Sequence, residues 1–303
     1  MNHEITRRRA LLGAIAAGTV ALVGCGETSA PPQARARNTI DDDVAALEQR
    51  YGARIGLWAS DLTSGGIASY RPGESFAMCS TFKPYAVAVA LQFASRGLLN
   101  LDDAVPVTAA DIVVNSPVLS TLIGGSITLS QACDAALTRS DNTAGNIVLR
   151  AIGGPPAITA FARSVGDARS QLSRWEPELN EALPGDPRDT TTPESLAAGY
   201  RAILTGDALE KPHRERLVGW MRDTRTSDER FRAGLPLGWS SADKTGAGYY
   251  GSTNDAGLLF GPSGQQILVV VLTRSHNDQQ DASPLNEAIA DAVRVTLSNF
   301  GHT

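Results

Sequence analysis

The sequence predicts an α+β fold: a five-stranded antiparallel sheet, sandwiched by the two terminal helices on one side, with an all-helical domain inserted between its strands. Three observations carry this. Strand-like runs occur near the two ends only, at residues 53–70 and 239–274. The middle of the chain, from Ser80 to about Asp223, reads mostly as helix broken by loops rich in Gly, Pro, Ser and Asp. Short Gly-containing turns join successive strand runs, and strands joined in that way pair antiparallel. One sheet assembled from both ends is the economical way to bury such segments.

Taken in order, Asn38 and Thr39 followed by Asp41, Asp42 and Asp43 make an N-cap with an acidic first turn, and Gly52 stops that helix. Residues 53–62 alternate around Ile55 and Leu57 and read as a strand. Thr63-Ser64-Gly65-Gly66 turns it back into a second strand at residues 67–70. The apolar run of residues 85–91 is a helix, with Ser80 at its N-cap and Pro84 in its first turn. Residues 239–247, 251–260 and 266–274 supply the three late strands. Ser283-Pro284 opens a last helix, where Leu285, Ile289, Val293 and Leu297 recur every four residues. The expected organisation is an α/β domain of residues 39–71 and 225–303, an all-helical domain of residues 72–224, and an active site at their interface.

The first 25 residues read as an export signal. Thr6-Arg7-Arg8-Arg9-Ala10-Leu11-Leu12 resembles a twin-arginine signal. The apolar stretch of residues 10–24 is shorter than the roughly 20 residues a membrane span needs. Leu22-Val23-Gly24-Cys25 resembles a bacterial lipobox, which makes Cys25 the lipidation candidate; a soluble form cut slightly later is the alternative. Residues 26–38 are a polar, Pro-containing tether. The expected location is therefore outside the cytoplasm, as a cell-envelope lipoprotein or a secreted or periplasmic protein, touching membrane only through a lipid on Cys25.

The formal net charge of the 303 residues is −5, and loss of Arg7, Arg8, Arg9 and Glu4 with the signal would leave −7. An acidic chain of this kind argues against nucleic acid as a partner. The four histidines, His3, His213, His276 and His302, are isolated and make no zinc spacing, so no metal is expected. Beyond Cys25 only Cys79 and Cys133 remain, too few for a disulfide framework. Cys79 reads as a packed free thiol rather than a nucleophile, because no histidine has a motif that would pair with it.

Four clusters carry chemistry. In Ser80-Thr81-Phe82-Lys83 the spacing puts hydroxyl and amine on one helix face. A serine hydroxyl needs a base to become a nucleophile, and a buried lysine can lose its proton and serve as one. Ser140-Asp141-Asn142 offers a second hydroxyl for proton delivery and an amide that can both donate and accept. Arg174 and Asp189 bracket 16 residues, a length that suits a compact Ω-loop closed by an Arg–carboxylate pair. Glu176 and Asn180 inside it could hold a water, with the carboxylate taking its proton. In Lys244-Thr245-Gly246-Ala247 a cation and a hydroxyl can address a carboxylate, and Gly246 lets a ligand approach the strand. The N–H of Ala247 would complete an oxyanion site with that of Ser80.

Ser80-x-x-Lys83, Ser140-Asp141-Asn142, Glu176-x-x-Leu179-Asn180 and Lys244-Thr245-Gly246 occur in that order, 60, 36 and 68 residues apart. Over residues 39–303 the chain resembles a class A serine β-lactamase, a member of the penicillin-recognising enzymes with the β-lactamase/D,D-peptidase fold. The resemblance implies a β-lactam ring opened by Ser80 into an acyl-enzyme, with Lys83, or Glu176 through a water, as the acylation base. Ser140 would protonate the lactam nitrogen, assisted by Lys244. Asn142 would hold the side-chain amide of the substrate, and Lys244 and Thr245 its carboxylate. Glu176, helped by Asn180, would activate the deacylating water. It implies a small-molecule substrate, no cofactor and a monomer. Penicillins and early cephalosporins are the expected substrates.

Three departures from the family pattern matter. An arginine that members often carry on the strand after Lys-Thr-Gly is Thr253 here, and Arg230 is the substitute, with Arg225 a weaker candidate. The aromatic gate before Ser116-Pro117 is Asn115. Cys133 sits where some members have a disulfide partner, but the matching position is Val87, so a free thiol is expected. Cys79 would need a partner near Gly248. A D,D-peptidase or a penicillin-sensing domain would share the serine, lysine and Lys-Thr-Gly elements but would not need Glu176 and Asn180.

Overall fold

The order of strands in the main sheet follows from its hairpins and its two-ended assembly. The computed structural model describes residues 39–302; the expected export signal, Cys25 and the tether lie outside the described residues. Helix α1 (Thr39–Tyr51) leads into strands β1 (Ala53–Asp61) and β2 (Ile67–Tyr70). The late strands β7 (Ser240–Ala247), β8 (Thr253–Phe260) and β9 (Gln266–Ser275) complete an antiparallel sheet of order β2-β1-β9-β8-β7. The central pairing joins the two ends of the chain: Ala53 lies opposite Ser275 and Asp61 opposite Ile267. Between β2 and β7 lie three short strands, β3 (Phe76–Ala77), β4 (Ala104–Pro106) and β5 (Ser126–Thr128), interleaved with helices. These are α2 (Lys83–Ser95), α3 (Leu129–Thr138), α4 (Asn142–Ile152) and α5 (Pro155–Ser164). A last short strand, β6 (Thr190–Thr191), precedes α6 (Pro193–Leu204), α7 (Lys211–Arg222) and the single turn α8 (Phe231–Gly234). Helix α9 (Asn286–Asn299) closes the chain.

Period-two alternation on β9 explains both layers. Ile267, Val269 and Val271 face Ile40 and Val44 of α1 and Ile289, Val293 and Leu297 of α9. Leu268, Val270 and Leu272 face the other way, into the core built by α2, α3, α4, α6 and α7. A strand buried on both faces reads as an unbroken apolar run, as residues 267–272 do. Helix α2 is the centre of the second core: residues 83–91 are all buried. A helix apolar all round belongs inside, and its buried first residue is a lysine.

Two expectations change. The short ladders β3–β6 and β4–β5 are not legible as strands, because two or three residues carry no period. The last helix starts at Asn286 rather than at Pro284. The N–H of Leu285 donates to Thr253 Oγ1 at 2.9 Å, which holds the chain against β8 before it can wind.

The β1–β2 turn is fixed by Asp61. Its carboxylate accepts from the N–H groups of Thr63 and Ser64 at 2.8 and 3.2 Å, from Ser64 Oγ at 2.8 Å, and lies 3.2 Å from His302 Nε2 near the other chain end. Burial alone would push this carboxyl up, but the donors from Ser64, Thr63 and His302 outweigh it and hold it at about 2. The native value lies below the ordinary one of about 4, so the stabilisation is complete above that pH and is lost as pH falls through 2. Asp61→Asn is expected to lower unfolding free energy near pH 7 by up to about 2 kcal/mol, with the difference from wild type shrinking toward pH 2; urea unfolding at both pH values checks it.

Candidate active site

The nucleophile candidate stands on a 3₁₀ turn, Cys79–Phe82, that runs into α2. Ser80 is not the helix N-cap expected from its residue type. Its hydroxyl is claimed by two other groups: it accepts from Lys83 Nζ at 2.9 Å and donates to Glu176 Oε1 at 3.2 Å. The turn is anchored from the sheet, since Asn254 Nδ2 donates to the carbonyls of Ala77 and Met78 at 2.8 and 3.2 Å. Lys83 is fully buried and also donates to Asn142 Oδ1 and to the Ser140 carbonyl, each at 2.8 Å. Its stem passes over Gly145 of α4, where an added Cβ would lie 2.9 Å from Lys83 Cε. Gly145 therefore leaves the lysine its path, a role no motif announces.

Glu176 reaches the same point from a long loop. Lys83 Nζ and Glu176 Oε1 are 3.0 Å apart, both side chains wholly buried. The loop is pinned at its neck by Arg174 Nε on Asp189 Oδ2 at 2.6 Å, the pair the 16-residue spacing suggests. Asp189 Oδ1 also takes the N–H groups of Ser173 and Arg174, at 2.7 and 3.0 Å. Asn146 of α4 clamps the Glu176 backbone from both sides, accepting from its N–H at 3.0 Å and donating to its carbonyl at 2.8 Å. Asn180 Nδ2 donates to Glu176 Oε2, and Asn180 Oδ1 is buried without a donor.

The opposite wall is made by the Ser140 turn and β7. Lys244 is fully buried, and its Nζ donates to Ser140 Oγ at 2.9 Å. Burial and the neighbouring charge of Lys83 push the Lys244 ammonium well below its ordinary value. Asp141 caps α4, accepting from Ala144 N at 2.8 Å, and takes Val118 N and Leu119 N as well. Asn142 is tied through Lys83 and through its Nδ2 to the Val114 carbonyl at 3.0 Å. Thr245 Oγ1 lies 2.6 Å from Thr226 Oγ1, a partner that sequence reasoning missed although Thr224-Arg225-Thr226-Ser227 is rich in hydroxyls. Arg230 Nη1 donates to the carbonyls of Gly246 and Asn254 at 2.8 and 2.9 Å, and its Nε to Asn286 Oδ1 at 2.9 Å. Arg225 is exposed and outside the cavity, while Thr253 is buried and bonds to Gly251 and Leu285.

These walls enclose a cavity of about 680 Å³ whose lining includes Ser80, Ser140, Asn142, Asn180, Thr245 and Ala247, with Asn115, Thr226, Gly246 and Arg230. Lys83, Glu176 and Lys244 sit just behind it. Two further carboxylates, Asp243 and Asp255, are buried under β7 and β8. Asp255 Oδ2 accepts from Ser227 Oγ at 2.9 Å, but Asp255 Oδ1 and both Asp243 oxygens have no donor. Burial raises both groups, and for Asp255 the charge of Asp243 adds to it. Among the described residues no cluster of His, Cys, Asp and Glu could hold a metal ion.

A serine backed by a buried lysine, a loop carboxylate aimed at its oxygen and a second serine on a second buried lysine define a serine acyl-transferase of the penicillin-recognising kind. The β-lactamase enzyme family model matches residues 39–297, and the chain belongs to that family. It is 43% identical over 256 residues to β-lactamase FAR-1 of Nocardia farcinica (strain IFM 10152), covering 84% of this chain and 81% of that one. It is 42% identical over 300 residues to β-lactamase AST-1 of Nocardia asteroides, covering 97% and 96%. Among solved structures, the β-lactamase of Desulfarculus baarsii DSM 2075 superposes with a TM-score of 0.84 at 38% identity over 86% of this chain and 97% of that one. The class A enzyme of the last common ancestor of Gram-negative bacteria (GNCA4) does so with 0.82 at 42%, over 86% and 99%. The chain is a class A β-lactam hydrolase, and enzymes of this class are generally exported.

Cys79, next to the nucleophile, is a free and fully buried thiol, as is Cys133. Burial pushes both thiols up to about 12, so neither is a nucleophile at neutral pH. The native enzyme is expected to leave Cys79 and Cys133 unlabelled by iodoacetamide at pH 7.5 and to label both after unfolding. Peptide mapping reads the result; native labelling of Cys79 would contradict the packing described.

Proposed function

We propose that Ser80 is the acylating residue and Glu176 the base that makes the enzyme turn over. The observation that carries this is the shared hydrogen bonding at Ser80 Oγ, which accepts from Lys83 and donates to Glu176. The hydroxyl proton therefore already points at a carboxylate, while the lysine supplies positive charge to the oxygen that loses it. In the first half-reaction Ser80 Oγ bonds to the lactam carbonyl carbon and its proton passes to Glu176, directly or through a water. The C–N bond breaks, and Ser140 Oγ gives its proton to the ring nitrogen. The Lys244 ammonium on Ser140 Oγ stabilises the oxygen left behind until the proton held by Glu176 returns to it through water, which restores the Ser140 hydroxyl and leaves Glu176 a carboxylate for the second half-reaction. The N–H of Ser80, among the first of its turn and so free of intrahelical partners, and that of Ala247 face the developing oxyanion. In the second half-reaction Glu176 takes a proton from water, the new hydroxyl attacks the ester, and the Ser80 C–O bond breaks with the proton returned to the serine. Asn180 orients the Glu176 carboxylate throughout.

The ring carboxylate of the substrate fits Thr245 and Thr226, with the charge of Arg230 and Lys244 behind them. Asn142 addresses the side-chain amide with the donor and acceptor capacity that Lys83 and Val114 leave free. The cavity lies where the helical segment of residues 72–224 meets the sheet layer of residues 39–71 and 225–303. Ring opening inactivates the antibiotic, which makes the protein a resistance enzyme. We further propose export through the first 25 residues, with Cys25 as the anchor of a lipoprotein form, and action as a monomer on penicillins and cephalosporins.

Glu176→Ala should acylate more slowly, with Lys83 left to take the Ser80 proton, and then stall. Deacylation is expected to slow by about 10²–10⁴-fold, the usual worth of a general base. Intact-mass measurement after mixing with a penicillin should show Ser80 carrying the whole drug mass for minutes, where wild type shows free enzyme. Undiminished turnover in Glu176→Ala would remove the loop acid from the mechanism.

A further inference from the structure

We propose that Arg139 is a specificity-determining residue whose guanidinium favours β-lactams bearing a second anionic group in addition to the ring carboxylate. This rests on the β-lactam hydrolase reading of the same cavity.

Among the described residues the only charged ones lining the cavity are Arg139 and Arg230, and no carboxylate lines it. The two arginines differ in how they are held. Arg230 is fixed by Gly246, Asn254 and Asn286, beside the hydroxyls that take the ring carboxylate. Arg139 makes no ion pair and no side-chain hydrogen bond among the described residues, and it is exposed. It is the C-cap of α3 and immediately precedes Ser140, so its backbone is fixed while its side chain remains free to turn toward a ligand. The Thr138 carbonyl accepts from Arg225 N at 2.8 Å, which laces this turn to the segment carrying Thr226, whose hydroxyl contacts Thr245. Arg139 thus stands at the carboxylate end of the cavity, yet the ring carboxylate already has Thr245, Thr226, Lys244 and Arg230. The positive charge left over suits another anion.

The chemistry of that anion follows from the donor. A guanidinium presents a planar fork that matches a carboxylate or sulfonate in two parallel hydrogen bonds. Because Arg139 is solvated, the gain is that of an exposed ion pair, about 2–5-fold in affinity, and it is sensitive to salt.

The test compares matched substrates on wild type, Arg139→Gln and Arg139→Lys. One pair is a penicillin with and without a second carboxylate on its acylamino side chain. The other is a cephalosporin with an acidic or a neutral substituent on the ring. The quantity read is the ratio of kcat/KM for dianion over monoanion within each variant, so a change in folded fraction cancels. The ratio is expected to fall about 2–5-fold in Arg139→Gln, through KM, and to recover in large part in Arg139→Lys. In wild type it should fall toward the Arg139→Gln value at about 1 M salt, where screening is nearly complete. The pair that shows the fall tells which side of the substrate carries the recognised group. An unchanged ratio in both pairs overturns the proposal. So does a fall that salt does not reproduce and lysine does not rescue, because it assigns Arg139 to the packing of the Ser140 turn. Failure of wild type to hydrolyse any of the four compounds would overturn the hydrolase reading and this inference with it.

Discussion

The buried contact between Lys83 and Glu176 is the constraint on which the rest of the structure depends. Two opposite charges 3.0 Å apart, with no solvent access, are tolerable only when each is fully hydrogen-bonded. Lys83 spends its three donors on Ser80, Ser140 and Asn142 and pairs by charge with the carboxylate. Glu176 has Ser80 and Lys83 on one oxygen and Asn180 on the other. Ser80, Asn142 and Asn180, which the proposed chemistry uses, are therefore also groups the ion pair needs. Stability and mechanism share one set of contacts here.

The two halves of that contact come from very different supports. Lys83 is delivered by a helix whose first nine residues are all buried and whose apolar sides leave the lysine head nowhere to go but the junction of α4 and the sheet. Glu176 is delivered by irregular backbone, which has few internal bonds of its own. It compensates with side-chain clamps: Arg174 on Asp189 at the neck, Asn146 on the backbone of Glu176, and Asn180 on its carboxylate. The buried carboxyl pair Asp243 and Asp255 plays a comparable part on the other wall. It places buried carboxyl groups close enough to act on Lys244 and Arg230, two of the basic side chains at the cavity.

Much of this was legible in the sequence, for identifiable reasons. The sheet was readable because its strands are long enough to show a period and are joined by Gly turns. The candidate set was readable as a group because its members carry unusual chemistry in motifs: Ser80 with Lys83, Ser140 with Asn142, Glu176 with Asn180, Lys244 with Thr245. What escaped was support expressed through ordinary residues. Asn146, Thr226, Asn254 and Gly145 each act on a distant segment, and nothing local distinguishes them from any other polar residue or glycine. The assignment of Ser80 as an N-cap failed for a related reason. Residue preference spoke for a cap, but contacts with Glu176, 96 residues away in sequence, claimed the hydroxyl.

The most direct test of the account is a double-mutant cycle on the central pair, read by equilibrium unfolding of wild type, Lys83→Met, Glu176→Gln and the double variant. If the two charges hold each other in place, the double variant should be more stable than the two single losses added together, by about 1–3 kcal/mol. Additivity within about 0.5 kcal/mol would mean that Lys83 and Glu176 do not depend on one another, and the account of the site as a single charged cluster would be wrong.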